Sequence, residues 1–296
     1  MDATHMPVSE HVFNMKNKLK TAALVATAMS LNACSASPPK RVYTKVPTRI
    51  VSMSPCIDAI LMEVASPDQI AAISHYSQDP EATSIDLKIA NRFKSVSYNI
   101  EEVIAQNPDL VIATGPVPIQ TSAALERIGI PLMQVPIPET VAQSRQQIAD
   151  IAVRVGRSGA QKMIDARIAS AMANATAAQH RGNLQTALIW QGGMVPGKGT
   201  LADEMLALAG YRNAASVYGL RQWDMLPMEP LLASPPGILF TAKNAKSRDR
   251  ILSHPVMKAA SHKIRIVDFP SRMLNCGGPT IIDALGILSR AHQDPN

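Results

Sequence analysis

The sequence predicts an α/β fold: two lobes with mostly parallel sheets, joined by a long backbone helix. Three observations carry this expectation. Short apolar runs alternate with amphipathic helical segments from Arg49 to Val135, and the alternation resumes after Gln185. Between them, from Glu139 to about His180, no strand pattern appears. A chain of 296 residues that is 46% hydrophobic and 18% charged also has enough apolar surface for two cores.

The first lobe opens with the apolar strand Arg49 to Met53, after which Ser54-Pro55 supplies an N-cap and a proline suited to the first helical turn. Ile57, Ile60, Leu61 and Val64 then share one helical face, and Ile70 to Ser74 forms a second strand. A helix Ile100 to Gln106 follows, then the turn Asn107-Pro108 and a strand Asp109 to Ala113. The lobe ends with a helix Thr121 to Ile128, Gly129 as its C-cap, and a strand Pro131 to Val135.

The middle segment is rich in Ala, Gln, Arg and Ile, and only Gly156 and Gly159 interrupt its helical character. The part beyond Gly159 predicts a helix of about 20 residues, roughly 30 Å of rigid strut. In the second lobe the strands are Gln185 to Trp190, Gly237 to Thr241 and Ile264 to Asp268. Helices are expected over Leu201 to Ala209, closed by Gly210, around Pro230 to Ala233, and over Thr280 to Ala291.

The N-terminal region has a different character. From Met15 it reads MKNKLKTAALVATAMSLNAC, three lysines followed by an apolar stretch from Ala22 to Leu31 and small residues running into a cysteine. That order is a secretory signal, and the apolar stretch falls short of the roughly 20 residues a membrane-spanning helix needs. Met15 reads as the start of that signal, with residues 1–14 as an extension. The expected organisation is extension and signal over 1–33, a tether over 34–47, the first lobe over 48–140, a helical connector over 141–181 and the second lobe over 182–296.

Charge narrows the function classes. The net charge is +6, but basic residues are scattered singly and aromatics make up only 4%, so no stripe tracks a phosphate backbone and nucleic acid is not an expected partner. The seven histidines form no cluster and no nucleophile-elbow pattern follows a strand, which argues against an enzyme and leaves a metal-dependent envelope hydrolase as the weaker alternative.

Several motifs, in order, carry a resemblance. They are RIVSMSP from Arg49, NPDLVIA from Asn107, AALERIGIP from Ala123, GKGTLADEMLALAGYRNAA from Gly197, WDMLPMEPLL from Trp223 and GGPTIIDAL from Gly277. Together these resemble the periplasmic substrate-binding proteins of ABC importers for vitamin B12, iron-siderophores and haem, the class with a helical backbone between lobes. Leu31-Asn32-Ala33-Cys34 likewise resembles the lipobox of bacterial lipoproteins, which implies acylation of Cys34 and anchoring to a membrane in the periplasm or cell envelope.

The resemblance implies a ligand cleft between the lobes, no cofactor of the protein's own, and delivery of a bulky metal chelate, cobalamin-like or an iron complex, to a permease with its ATPase. A lipoprotein that senses such a ligand without transporting it is the alternative. Physics places the cleft beyond the carboxyl ends of the strands. The residues expected there are Cys56, His75, Tyr76, Trp190, Trp223, Arg272, Asn275 and Cys276. Trp223 offers a flat surface for a macrocycle, while His75 has no partner at a metal-site spacing. Glu101 and Glu229, one per lobe, match the acidic residues that dock on permease arginines.

For Cys56 and Cys276 three readings stand: small core residues, a disulfide, or thiolate ligands to a soft metal. They fall in different lobes, and the expectation is that they meet only when the cleft closes. The glycines at 277 and 278, and those at 192, 193, 197 and 199, read as positions where backbone approaches a bulky ligand.

Overall fold

The computed structural model describes residues 45–179, 184–242, 255 and 264–293. The signal sequence, Cys34, nearly all of the tether and the last two residues expected in the connector lie outside the described residues. All the features below belong to the unit Tyr43–Asn296.

The first lobe is built on five strands, β1 (Ile50–Ser52), β2 (Ile70–Ser74), β3 (Ser95–Val96), β4 (Leu110–Thr114) and β5 (Leu132–Val135). They form one sheet in the order β3-β2-β1-β4-β5, all paired in parallel. Residues of β1 are fully buried, as the continuous apolar run demands of a strand covered on both faces. Helix α1 (Pro55–Val64) begins at an extended Ser54 with proline in its first turn, and it buries Ile57, Ile60, Leu61 and Val64. The helices α2 (Leu87–Ala90), α3 (Ile100–Ala105) and α4 (Ile119–Arg127) complete the lobe. Neither α2 nor β3 has a sequence signal, because four- and two-residue elements are too short to show a period.

The connector is two helices, α5 (Val141–Arg154) and α6 (Gln161–Gln179). They part where Gly156 and Gly159 adopt left-handed backbone, at φ +75° and +102°. Arg145 on α5 grips the Asp165 carboxylate of α6 with two nitrogens, which holds that carboxyl below its ordinary range. At 19 residues α6 is a strut of roughly 28 Å.

The main strands of the second lobe are β6 (Gln185–Ile189), β8 (Tyr211–Asn213), β10 (Ile238–Thr241) and β11 (Arg265–Asp268). They make a four-stranded parallel sheet in the order β11-β10-β6-β8. The helices are α7 (Leu201–Leu208), α8 (Met228–Ala233), α9 (Arg272–Asn275) and α10 (Thr280–Gln293). A separate antiparallel ribbon pairs β7 (Met194–Pro196) with β9 (Trp223–Met225). Neither strand has a signal in the sequence, because three residues beside Pro196 and Gly197 carry no alternation to read.

One core runs through both lobes and the connector, joining Ile50, Ile60 and Leu110 to Ile148 and Ile168 and on to Ile189, Phe240 and Leu285. Smaller clusters fill each lobe on the other face of its sheet, around Val51 and Val111 in the first and Leu188 and Trp190 in the second.

Candidate functional site

In the first sheet β1 lies between β2 and β4, so the crossovers diverge there and leave a crevice beyond the carboxyl ends of those strands. A cavity of about 290 Å³ opens at this end. The first lobe contributes Cys56 after β1 and Thr114 closing β4, and Ile137 to Glu139 follow β5. The second contributes the start of α7 from Thr200, the ribbon residues Gln222 and Trp223, and Leu274 to Gly277 after β11. The wall is thus assembled from both lobes, with more apolar than polar lining.

Trp223 is 43% exposed and stands at the cavity wall in β9 rather than in a loop. The ribbon positions it: Trp223 pairs with Pro196, and a side chain at Gly197 would run into the backbone of Arg221 and Gln222. Only glycine permits that approach.

Cys56 and Cys276 are joined in a disulfide with their Cα atoms 5.0 Å apart. The bond takes up both sulfurs, so the thiolate-ligand reading does not describe this state. Cys276 is buried and Cys56 is half-buried, with its Sγ 3.2 Å from the Asn275 carbonyl oxygen. Both cysteines line the cavity.

The following glycines also pack the loop, while Gly277 borders the cavity. A side chain at Gly277 would strike Ser144 and Pro138, and the Gly278 amide donates to the Ser144 hydroxyl at 2.6 Å. They seat the loop on the connector.

The structure therefore brings together Cys56, Trp223, Asn275 and Cys276. Trp190 does not join them: it is 1% exposed in the core of the second lobe, its indole nitrogen without a partner. Arg272 lies elsewhere too, because the single turn of α9 directs it into a groove of about 710 Å³ between α6 and α10, beside Arg167 and Arg290. His75 and Tyr76 lie at the carboxyl end of β2, outside the cavity wall, with ring centroids 4.0 Å apart. Tyr98, which sequence reasoning passed over, is their neighbour; burial and then Tyr76 push its hydroxyl pKa up. All three aromatics thus belong to the same end of the first sheet as the cavity.

Glu101 and Glu229 are exposed in the first turns of α3 and α8. The adjacent Glu102 is engaged instead, accepting from the Ser97 amide and hydroxyl, which hold its carboxyl below the usual range. Among the described residues no three His, Cys, Asp or Glu side chains converge as a metal site. No described helix is long and apolar enough to cross a membrane.

Asp58 was missed. It is fully buried one turn into α1, where its Oδ2 accepts from the Ser74 amide at 2.9 Å and the Ser77 hydroxyl at 2.6 Å, while Oδ1 has no partner. Burial pushes its pKa up to about 7 against the lowering pull of Ser52, Ser77 and the Ser74 amide. A lone carboxylate amid Ile57, Ile60, Leu61 and Val64 was the available signal.

Residues 50–271 match the periplasmic binding protein family, and the chain belongs to it. Among solved structures it is similar to the periplasmic heme-binding protein RhuT from Roseiflexus sp. RS-1, at 24% identity and a TM-score of 0.72 over 84% of this chain and 99% of that one. It is also similar to a periplasmic heme-binding protein from Pseudomonas aeruginosa, with 22% identity, a TM-score of 0.67 and coverage of 83% and 93%. The vitamin B12 binding protein BtuF of Vibrio cholerae gives 17% identity and a TM-score of 0.65, with coverage of 84% and 97%. These likenesses confirm the two-lobed α/β fold. No curated protein sequence matches the chain.

Proposed function

We propose that this protein is the extracytoplasmic binding component of an ABC importer, capturing a bulky metal chelate, haem-like, cobalamin-like or a ferric complex, and presenting it to a permease. The observation that carries this is the cavity at the strand ends, walled by both lobes and edged by the half-exposed Trp223. At about 290 Å³ the enclosed space is at the low end for small-molecule pockets. A flat chelate would insert one edge and lay its face on Trp223, gaining dispersion over the indole. His75, Tyr76 and Tyr98 extend the aromatic surface at that end of the first lobe. Names of the similar proteins, two heme-binding and one vitamin B12 binding, support the same ligand class.

In this reading Glu101 and Glu229 present one carboxylate per lobe to cationic side chains of the permease, so that docking senses the lobes together. Cys34, acylated, holds the protein at the membrane. The test is a thermal-shift screen of the mature protein against haem, cobalamins and ferric siderophores. At least one should raise the melting temperature by several degrees, and that gain should vanish in Trp223→Ala. A protein indifferent to all of them would not be a chelate binder.

A further inference from the structure

The disulfide is placed where it limits movement between the lobes. Cys56 belongs to the first turn of α1, fixed to the first sheet through the fully buried β1. Cys276 follows α9, fixed to the second sheet through β11. The bond therefore runs lobe to lobe over a sequence separation of 220 residues. Other polar ties behave differently. The Val141 amide to Glu204, the Gly278 amide to Ser144, and Arg167 to Glu63 each connect a lobe to the connector, so they permit hinging about it. The two cysteines also line the cavity, which makes the bridge part of its wall.

We infer that Cys56–Cys276 is a redox latch: oxidised, it fixes the width of the cavity mouth, and reduced, it lets the lobes swing apart. Its partner is a dithiol of the thiol–disulfide exchange class. One thiolate of that partner attacks the half-buried Cys56 Sγ; the bridge breaks, and its electron pair leaves on Cys276 Sγ, which takes up a proton. The partner's second thiol attacks the mixed disulfide and releases Cys56 as a thiol. Two electrons pass to this protein, and the partner ends as a disulfide. Attack on Cys276 is disfavoured because that residue is only 3% exposed.

The experiment compares oxidised protein, protein reduced by dithiothreitol, and the Cys56→Ser/Cys276→Ser double variant, with free thiols counted by maleimide labelling and intact mass. The readout is amide hydrogen exchange. In both bridge-free forms exchange in segments 54–60 and 274–282 should accelerate about tenfold or more beyond the change seen in the strands of the two sheets, which report the global loss of stability. The latch is overturned by unchanged exchange in those segments, by a rise there no greater than in the sheet strands, or by a bridge that yields to dithiothreitol only in denaturant. Because no ligand enters the experiment, its outcome is separate from the identity of the chelate.

Discussion

Replacing Asp58 with asparagine should make the protein more stable at pH 8 and less stable at pH 4. The wild-type carboxyl has a pKa of about 7 in the folded state, against an ordinary value of 3.8. Between those values the folded protein holds a proton that the unfolded chain has released, so stability falls as pH rises from about 4 to 7 and is level above that. The rise from 3.8 to about 7 corresponds to about 4 kcal/mol of destabilisation at pH 8.

The substituted carboxamide cannot ionise, and its carbonyl still accepts from Ser74 and Ser77, but its amino group falls where Oδ1 of Asp58 has no partner. That unpaired group costs about 1–3 kcal/mol. The balance at pH 8 favours the variant by about 1–3 kcal/mol, or roughly 2–10 °C in melting temperature for a chain of this size. At pH 4, where the wild-type carboxyl is neutral, only the cost remains and the order reverses. Calorimetry of both proteins from pH 4 to 8 measures this directly. A difference between them that stays constant with pH would refute the argument that burial dominates at this site.

Three further outcomes follow from the same geometry. Cys276→Ser removes a cross-link over a 220-residue separation, and should lower stability by about 2–5 kcal/mol and the melting temperature by roughly 5–15 °C, read against reduced wild type, which should match it. The two tryptophans should separate cleanly: Trp190→Ala, emptying a buried site, should cost about 3–5 kcal/mol of folding stability, whereas the half-exposed Trp223 should tolerate alanine with little change in melting temperature. His292 is buried against Tyr211 with both ring nitrogens unpaired, and burial lowers its pKa. Its neutral form is the folded one, so stability should drop as pH falls below about 6.5, and His292→Gln should flatten that limb of the calorimetric pH profile.

Much of the fold was legible in the sequence because its strands are covered on both faces. Ile50 to Ser52 and Leu110 to Ala113 read as apolar runs for the same reason that they are buried. The connector was visible through its helix-compatible composition and the lack of any strand pattern, with its break at Gly156 and Gly159. The short elements β3, α2 and the ribbon that carries Trp223 were not, because none of them is an apolar run buried along its whole length.

The site was legible only where a residue type announced itself. Trp223, Cys56 and Cys276 did so, and the structure gathers them. Thr114, Ile137, Pro138, Thr200 and Met205 wall the same cavity but look like ordinary strand and helix residues in the sequence. Arg272 and Asn275 show the converse limit. They are three residues apart on one turn, yet Asn275 faces the cavity and Arg272 the groove along α6, a divergence set by the packing of α9.

The claim that the cavity between the lobes captures a chelate is tested most directly by calorimetric titration of the mature protein with haem, cobalamin and a ferric siderophore, alongside Trp223→Ala. Saturable one-to-one binding of at least one of them, weakened about tenfold or more by the variant, is the predicted result. Absence of saturable binding to any of the three, or binding that Trp223→Ala leaves untouched, would contradict it.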